Sequence, residues 1–214
     1  MNIIAKTLTA AAFTLVAGAA SAATVTTTFS VTGLSGSGLS QLGLSAGDTI
    51  SGSVTYDTDW DQTYDYSNNG YAYEYGYSTG DDSVVNAGSA SGSSSDTYAY
   101  AFDGISDGTS NIYDYVYFYG YDNLNGSAGI LDSYFAVYSI DNDETTFSGL
   151  TPTVAEMNAL DTDYFYLWFR TNTGTYYIYG DTVTWGVATV PLPASALLML
   201  GALGGLGVMR RKLA

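Results

Sequence analysis

The residues best equipped for chemistry in this 214-residue chain are tyrosines and aspartates. In the run YFYLWFR, strand alternation puts Tyr164, Tyr166, Trp168 and Arg170 on one face and Phe165, Leu167 and Phe169 on the other. Flat rings with polar tips beside one guanidinium form a platform for sugar rings and other extended polymers. The same rings could equally serve as cross-strand pairs, each stabilising the sheet by about 0.2–1 kcal/mol with no ligand. The pattern recurs. Tyr113, Tyr115, Tyr117, Tyr119 and Tyr121 face one way, with Ile112, Val116 and Phe118 opposite; Tyr71, Tyr73, Tyr75 and Tyr77, and Tyr98 with Tyr100, follow the same rule.

Aspartates supply the second chemistry. Asp57, Asp59, Asp61 and Asp65 in DTDWDQTYD alternate like oxygen ligands for calcium, a cation that takes six to eight oxygens in flexible geometry. Asp141, Asp143 and Glu144 form a second cluster, and Asp161 with Asp163 a third. The EF-hand spacing is not met, and solvated strand-end loops of an acidic protein share this composition. Paired carboxylates could hydrolyse a glycosidic bond without histidine, yet the sequence singles out no pair. There is no histidine and no cysteine, which removes the usual general base, the commonest transition-metal ligand and any disulfide. No G-x-S-x-G elbow and no Gly-rich phosphate loop followed by Lys appears. No catalytic residue is assigned.

Positioning these groups falls to short alternating runs punctuated by Gly, Ser, Thr and Asn, the signature of an all-β protein. The expected strands are Thr24–Val31, Thr49–Asp57, Tyr71–Tyr77, Thr97–Phe102, Ile112–Tyr119, Ile130–Ile140, Tyr164–Arg170 and Thr175–Thr189, the last two joined by a hairpin at Thr173-Gly174. One short helix is expected at Pro152–Leu160, where Pro152 suits a first turn and Thr153 with Glu156 has capping-box spacing. The fold expected is an antiparallel β-sandwich, jelly-roll-like, over residues 23–189.

Residues 1–22 read as a signal peptide: Lys6, then the apolar run Leu8–Ala17, then the small-residue site Ala20-Ser21-Ala22. Residues 190–214 read as a sorting tail. Val190, Pro191, Leu192, Pro193 and Ala194 open it, an uncharged apolar segment runs to Met209, and Arg210, Arg211 and Lys212 form a basic stop expected to stay cytoplasmic. The apolar segment is shorter than the roughly 20 residues of an ordinary transmembrane helix. Setting both ends aside leaves 21 acidic residues against Arg170 alone, a net charge of −20. Such a domain excludes nucleic acid and anionic lipid as partners, because both demand clusters of Lys and Arg.

The three-part tail resembles the PEP-CTERM class of sorting signals, most closely the variant reading V-P-L-P-A, here Val190–Ala194. Leu192 stands where the commoner motif has Glu. That resemblance implies export by a Gram-negative bacterium, an exosortase-like sorting protease as partner, and delivery to the envelope or exopolysaccharide matrix. The segment Leu44–Asp59 (LSAGDTISGSVTYDTD) is similar to the opening of many exported proteins of that class and implies no chemistry of its own. The expectation is a non-catalytic envelope or matrix protein that contacts exopolysaccharide, with calcium as a candidate stabiliser. The alternatives are a secreted carbohydrate-active enzyme using paired carboxylates and a Tyr-rich self-assembling surface fibre.

Overall fold

The structure is a computed structural model that describes residues 24–188 apart from 59, 61, 66–73, 107–111 and 142–145. The expected signal peptide (1–22) and sorting tail (190–214), with its motif and basic stop, lie outside the described residues. No helix among the described residues is long and apolar enough to cross a membrane.

The chain is all-β and antiparallel. Its strands are β1 (Thr24–Thr32), β2 (Ile50–Asp57), β3 (Gln62–Asp65), β4 (Glu74–Ala87), β5 (Ala90–Ser106), β6 (Ile112–Tyr121), β7 (Ile130–Asp141), β8 (Thr162–Thr171), β9 (Gly174–Gly180) and β10 (Thr182–Val187). They form one sheet in the order β10-β1-β2-β4-β5-β6-β7-β8-β9, with β3 paired to the first residues of β4. Neighbours are mostly consecutive, so the connections are meander hairpins rather than the Greek-key crossings of a jelly roll; short connections between adjacent antiparallel strands need nothing longer. The sheet curls until β10 lies against β7 and β8. Sandwich-like burial is thus achieved by one sheet closing on itself.

The enclosed face is the core. Phe29, Val31, Ile50, Val54, Val85, Phe118, Phe135, Phe165, Leu167, Phe169, Ile178 and Trp185 are all buried there. Phe29 sits at its centre, within 6.0–6.3 Å of the rings of Phe135, Phe165 and Trp185. The parity read from the sequence sets this face: Phe165, Leu167 and Phe169 point in, as do Val116 and Phe118.

Two seams close the curl. At β10, Asp163 Oδ2 accepts the Val183 N–H (2.8 Å), while Asp163 Oδ1 accepts the Ser139 hydroxyl, whose oxygen accepts the Trp185 indole N–H (2.7 Å). Asn158 adds a mimic of strand pairing: its Oδ1 accepts the Trp185 N–H (2.8 Å) and its Nδ2 donates to the Trp185 carbonyl (2.9 Å). At β9, Ser35 exchanges both backbone bonds with Tyr179 (2.9 and 2.8 Å), and the Gly38 N–H donates to the Tyr177 carbonyl (2.9 Å). Exposed strand edges template unwanted pairing, and both ends of this sheet are covered.

Besides β3 and a 3-10 turn at Ser40–Leu42, neither of them expected from the sequence, three elements differ from the sequence reading. The expected strand Thr175–Thr189 is two strands broken at Asp181, which pair at opposite ends of the sheet. Gly180 permits the corner, because a Cβ there would lie 2.2 Å from Val31 Cγ1. The second difference is the long β4–β5 hairpin, where no strand is expected from the sequence over GDDSVVNAGSASGSSSD. Its inward positions include Ser78, Asp81, Ser83 and Thr97, all buried yet satisfied: the Ser78 hydroxyl donates to Asp81, Ser83 and Thr97 share a hydroxyl bond, and Asn123 Nδ2 donates to Ser83 Oγ (2.7 Å). Hydrogen bonding there stands in for the apolar alternation that identifies strands from sequence. The turn rests on Gly88 at φ 60°, a left-handed conformation cheap only for glycine. The third is the helix, here α1 (Val154–Met157), a single turn bounded by the expected capping box of Thr153 and Glu156.

Candidate functional site: a tyrosine-faced sheet

Where a sheet buries one face, its alternate residues face outward. From Tyr77 on β4 and the second half of β5 through β9, most of those outward residues are tyrosine, and register aligns them into rows across the strands. One row runs Tyr77, Tyr100, Tyr117, Tyr138, Tyr164. The next runs Tyr98, Tyr119, Ala136, Tyr166, Tyr179, and a third Tyr121, Tyr134, Trp168, Tyr177.

The rings touch one another. Tyr98 and Tyr119 stack at 4.7 Å with 11° between planes, and Phe102 with Tyr115 at 4.1 Å and 12°. The hydroxyls of Tyr117 and Tyr134 share a hydrogen bond of 3.0 Å. Close lateral contact withdraws the phenols from water, so burial pushes the hydroxyls of Tyr115, Tyr119 and Tyr134 well above the ordinary phenol range. Each remains a neutral donor and acceptor at physiological pH. A cleft of about 390 Å³, walled by Tyr115, Tyr117, Tyr138 and Ile140, opens on this face.

The residues singled out in the sequence sit on this surface. Tyr164, Tyr166 and Trp168 are half-buried on the outer side of β8 and Arg170 is exposed at its end. Arg170 donates through Nε (2.7 Å) and Nη2 to Asp132 Oδ2, its cross-strand neighbour. The only basic residue between Lys6 and Arg210 is therefore tied to a carboxylate at the margin. The sequence reading did not single out Tyr138 and Tyr134 on β7 or Tyr177 and Tyr179 on β9. Their signal was present in the alternation with Phe135, Val137 and Ile178, all buried.

The calcium expectation falls partly outside the described residues. Asp57 ends β2 opposite Thr24, Asp65 ends β3 opposite Glu74, and Asp59 and Asp61 lie outside the described residues. Among the described residues no group of three or more His, Cys, Asp or Glu is placed to hold a metal ion. In the third cluster, Asp163 has both oxygens engaged at the β10 seam. Of the second cluster, Asp141 is buried and accepts the Thr146 hydroxyl.

Sequence reading missed a more deeply buried carboxylate. Asp114, opposite Asp141 in register, is fully buried and accepts the backbone N–H groups of Gly104 (2.7 Å) and Phe147 (2.8 Å). Burial raises its pKa above the usual carboxylate range, opposed by those two donors. The role that geometry gives it is to pin the segment after β7 to the irregular end of β5.

The opposite outer face, on β10, β1, β2 and β4, is a grid of hydroxyls. A groove of about 540 Å³ is lined by Thr28, Ser30, Ser51 and Thr184. It shares Ser53 and Val84 with a second groove of about 620 Å³ that reaches Asp82 and Asp122, both exposed. Neither Asp114 nor Asp141 lines any of these three openings.

No family model, no curated protein and no solved structure matches this chain.

Proposed function

We propose that this chain is a non-catalytic exported protein of a bacterial envelope or extracellular matrix, sorted by an exosortase-like protease and contacting exopolysaccharide through its tyrosine face. The observation that carries the binding half is the extent of that face: three rows, phenols but for Ala136 and Trp168, cross up to five strands each, and no charged residue interrupts them. Structural stacking alone calls for pairs, whereas this surface leaves whole rows of half-buried rings within reach of solvent. The sorting half rests on Val190–Ala194, the apolar segment and Arg210-Arg211-Lys212, as the resemblance implies.

The fibre alternative is disfavoured by the covered seams at β9 and β10 and by the charge of −20 on residues 23–189, which resists self-association. Among the grooves described above, the one holding Asp82 and Asp122 is where the enzyme alternative would stand. That groove is wide and both carboxylates are exposed, whereas a glycosidase general acid works from an environment that holds its proton.

The test is a glycan array and titration calorimetry on the full chain, with and without calcium. Saturable binding without release of reducing sugar supports the reading. No binding to any glycan refutes its binding half, and reducing-sugar release abolished by Asp82→Asn transfers the protein to the enzyme class. For sorting, a Pro191→Ala/Pro193→Ala chain should stay in the membrane fraction of an exosortase-bearing host; normal surface delivery would refute that half.

A further inference from the structure

The first row of rings is an unbroken ladder. Centroid steps along Tyr77, Tyr100, Tyr117, Tyr138 and Tyr164 are 5.1, 5.9, 5.8 and 5.1 Å. Register fixes this spacing, because adjacent strands lie about 4.8 Å apart and each contributes one ring at the same level. Five strands therefore offer five aromatic stations in a line of roughly 20 Å. Each step is close to the length of one sugar residue in an extended chain. The cleft between Tyr115, Tyr117 and Tyr138 opens beside the middle station.

Charge selects among chains that could lie there. The ladder itself carries none, and the charges at its margins are acidic: Asp96 beside Tyr98 and Asp132, which holds the lone Arg170. Residues 23–189 carry 21 acids against that one base. At physiological salt such a field still acts over about 8 Å, so a polyanion pays a Coulomb cost at every repeat. A second copy of this chain would meet the same field.

Building on the glycan-platform reading, we infer that the tyrosine ladder binds a neutral, extended polysaccharide, one sugar per ring, laid across the strands from β4 to β8. Uronate-, sulfate- or phosphate-bearing polymers are excluded by charge.

The experiment uses the full chain and three probes: hydroxyethyl cellulose as a neutral polymer, alginate as a polyuronate, and cello-oligosaccharides of two to six residues. Native affinity electrophoresis should show retardation by the neutral polymer, little changed between 0.05 and about 0.5 M salt, and none by alginate at about 0.15 M. Oligosaccharide affinity should climb with length and level off near five residues, matching the five rings. Tyr117→Ala should weaken binding about three- to tenfold, as expected for one lost stacking partner. Tyr164→Ala, at the β8 end of the ladder, is the second variant if Tyr117→Ala lowers the melting temperature. Thr184→Ala on the opposite face should change nothing.

Preferential binding of alginate, weakened by salt, would overturn the neutral-chain inference and leave the platform reading standing. Neutral binding that ignores both length and the tyrosine variants would overturn the ladder. Failure of all three probes to bind would overturn the platform as well.

Discussion

Asp163→Ala tests how the curl is closed. Its carboxylate is one of two side chains that satisfy the free edge of β10, through Oδ2 to the Val183 N–H and through Oδ1 to the Ser139 hydroxyl. Ser139 is fully buried and Trp185 nearly so, so water cannot readily replace what is lost. Each hydrogen bond to a charged group contributes about 1.5–3 kcal/mol, and two go together; the expected loss is about 3–6 kcal/mol. For a domain of this size that corresponds to a fall in melting temperature of roughly 6–24 °C. Asp163→Asn keeps an oxygen for Val183 but turns an NH2 towards Ser139, whose oxygen already accepts from Trp185; the Ser139 proton then loses its acceptor. The expected cost is about 1–2 kcal/mol. Urea denaturation followed by tryptophan fluorescence measures both, with exposed Asp161→Ala as a control within about 0.5 kcal/mol of wild type. A loss under 1 kcal/mol for the alanine variant, or equal losses for Ala and Asn, would refute the clamp.

Asn158→Ala removes both strand-mimicking bonds to Trp185 and should cost about 1–3 kcal/mol while exposing the β10 edge. Faster thioflavin-positive aggregation than for Asp161→Ala is the expected readout, and unchanged kinetics would show that the edge is guarded otherwise. Alkaline titration probes the tyrosine face. Burial raises the hydroxyl pKa of Tyr115, Tyr119 and Tyr134, so their stabilising contribution is complete below the unfolded value of about 10 and is lost as pH rises through the folded values. Tyrosinate absorbance should therefore lag behind free tyrosine above pH 10 and then appear with unfolding; a smooth titration of all tyrosines near pH 10 would contradict the packing.

What could be read from the sequence follows from range. Parity is local: Tyr164, Tyr166 and Trp168 face away from Phe165, Leu167 and Phe169 whatever the tertiary fold, and the Thr153–Glu156 capping box spans three residues. The ladder needs more, because Tyr77 and Tyr164 share a line only through four separate registers, which no single strand encodes. Inside the β4–β5 hairpin the signal failed for a chemical reason. Asp81, Ser83 and Thr97 face the interior as hydroxyls and a carboxylate satisfied by one another and by Asn123, so polarity there does not report exposure. The aspartates show the same limit in reverse. Asp163 and Asp161 look alike in sequence, yet one clamps a seam twenty residues away at Val183 while its neighbour faces solvent. An acid-rich sequence thus spends part of its charge on structure, and the aromatic face owes its freedom from charge to that division: carboxylates line its rim and seams, and the rings are left to whatever uncharged surface approaches them.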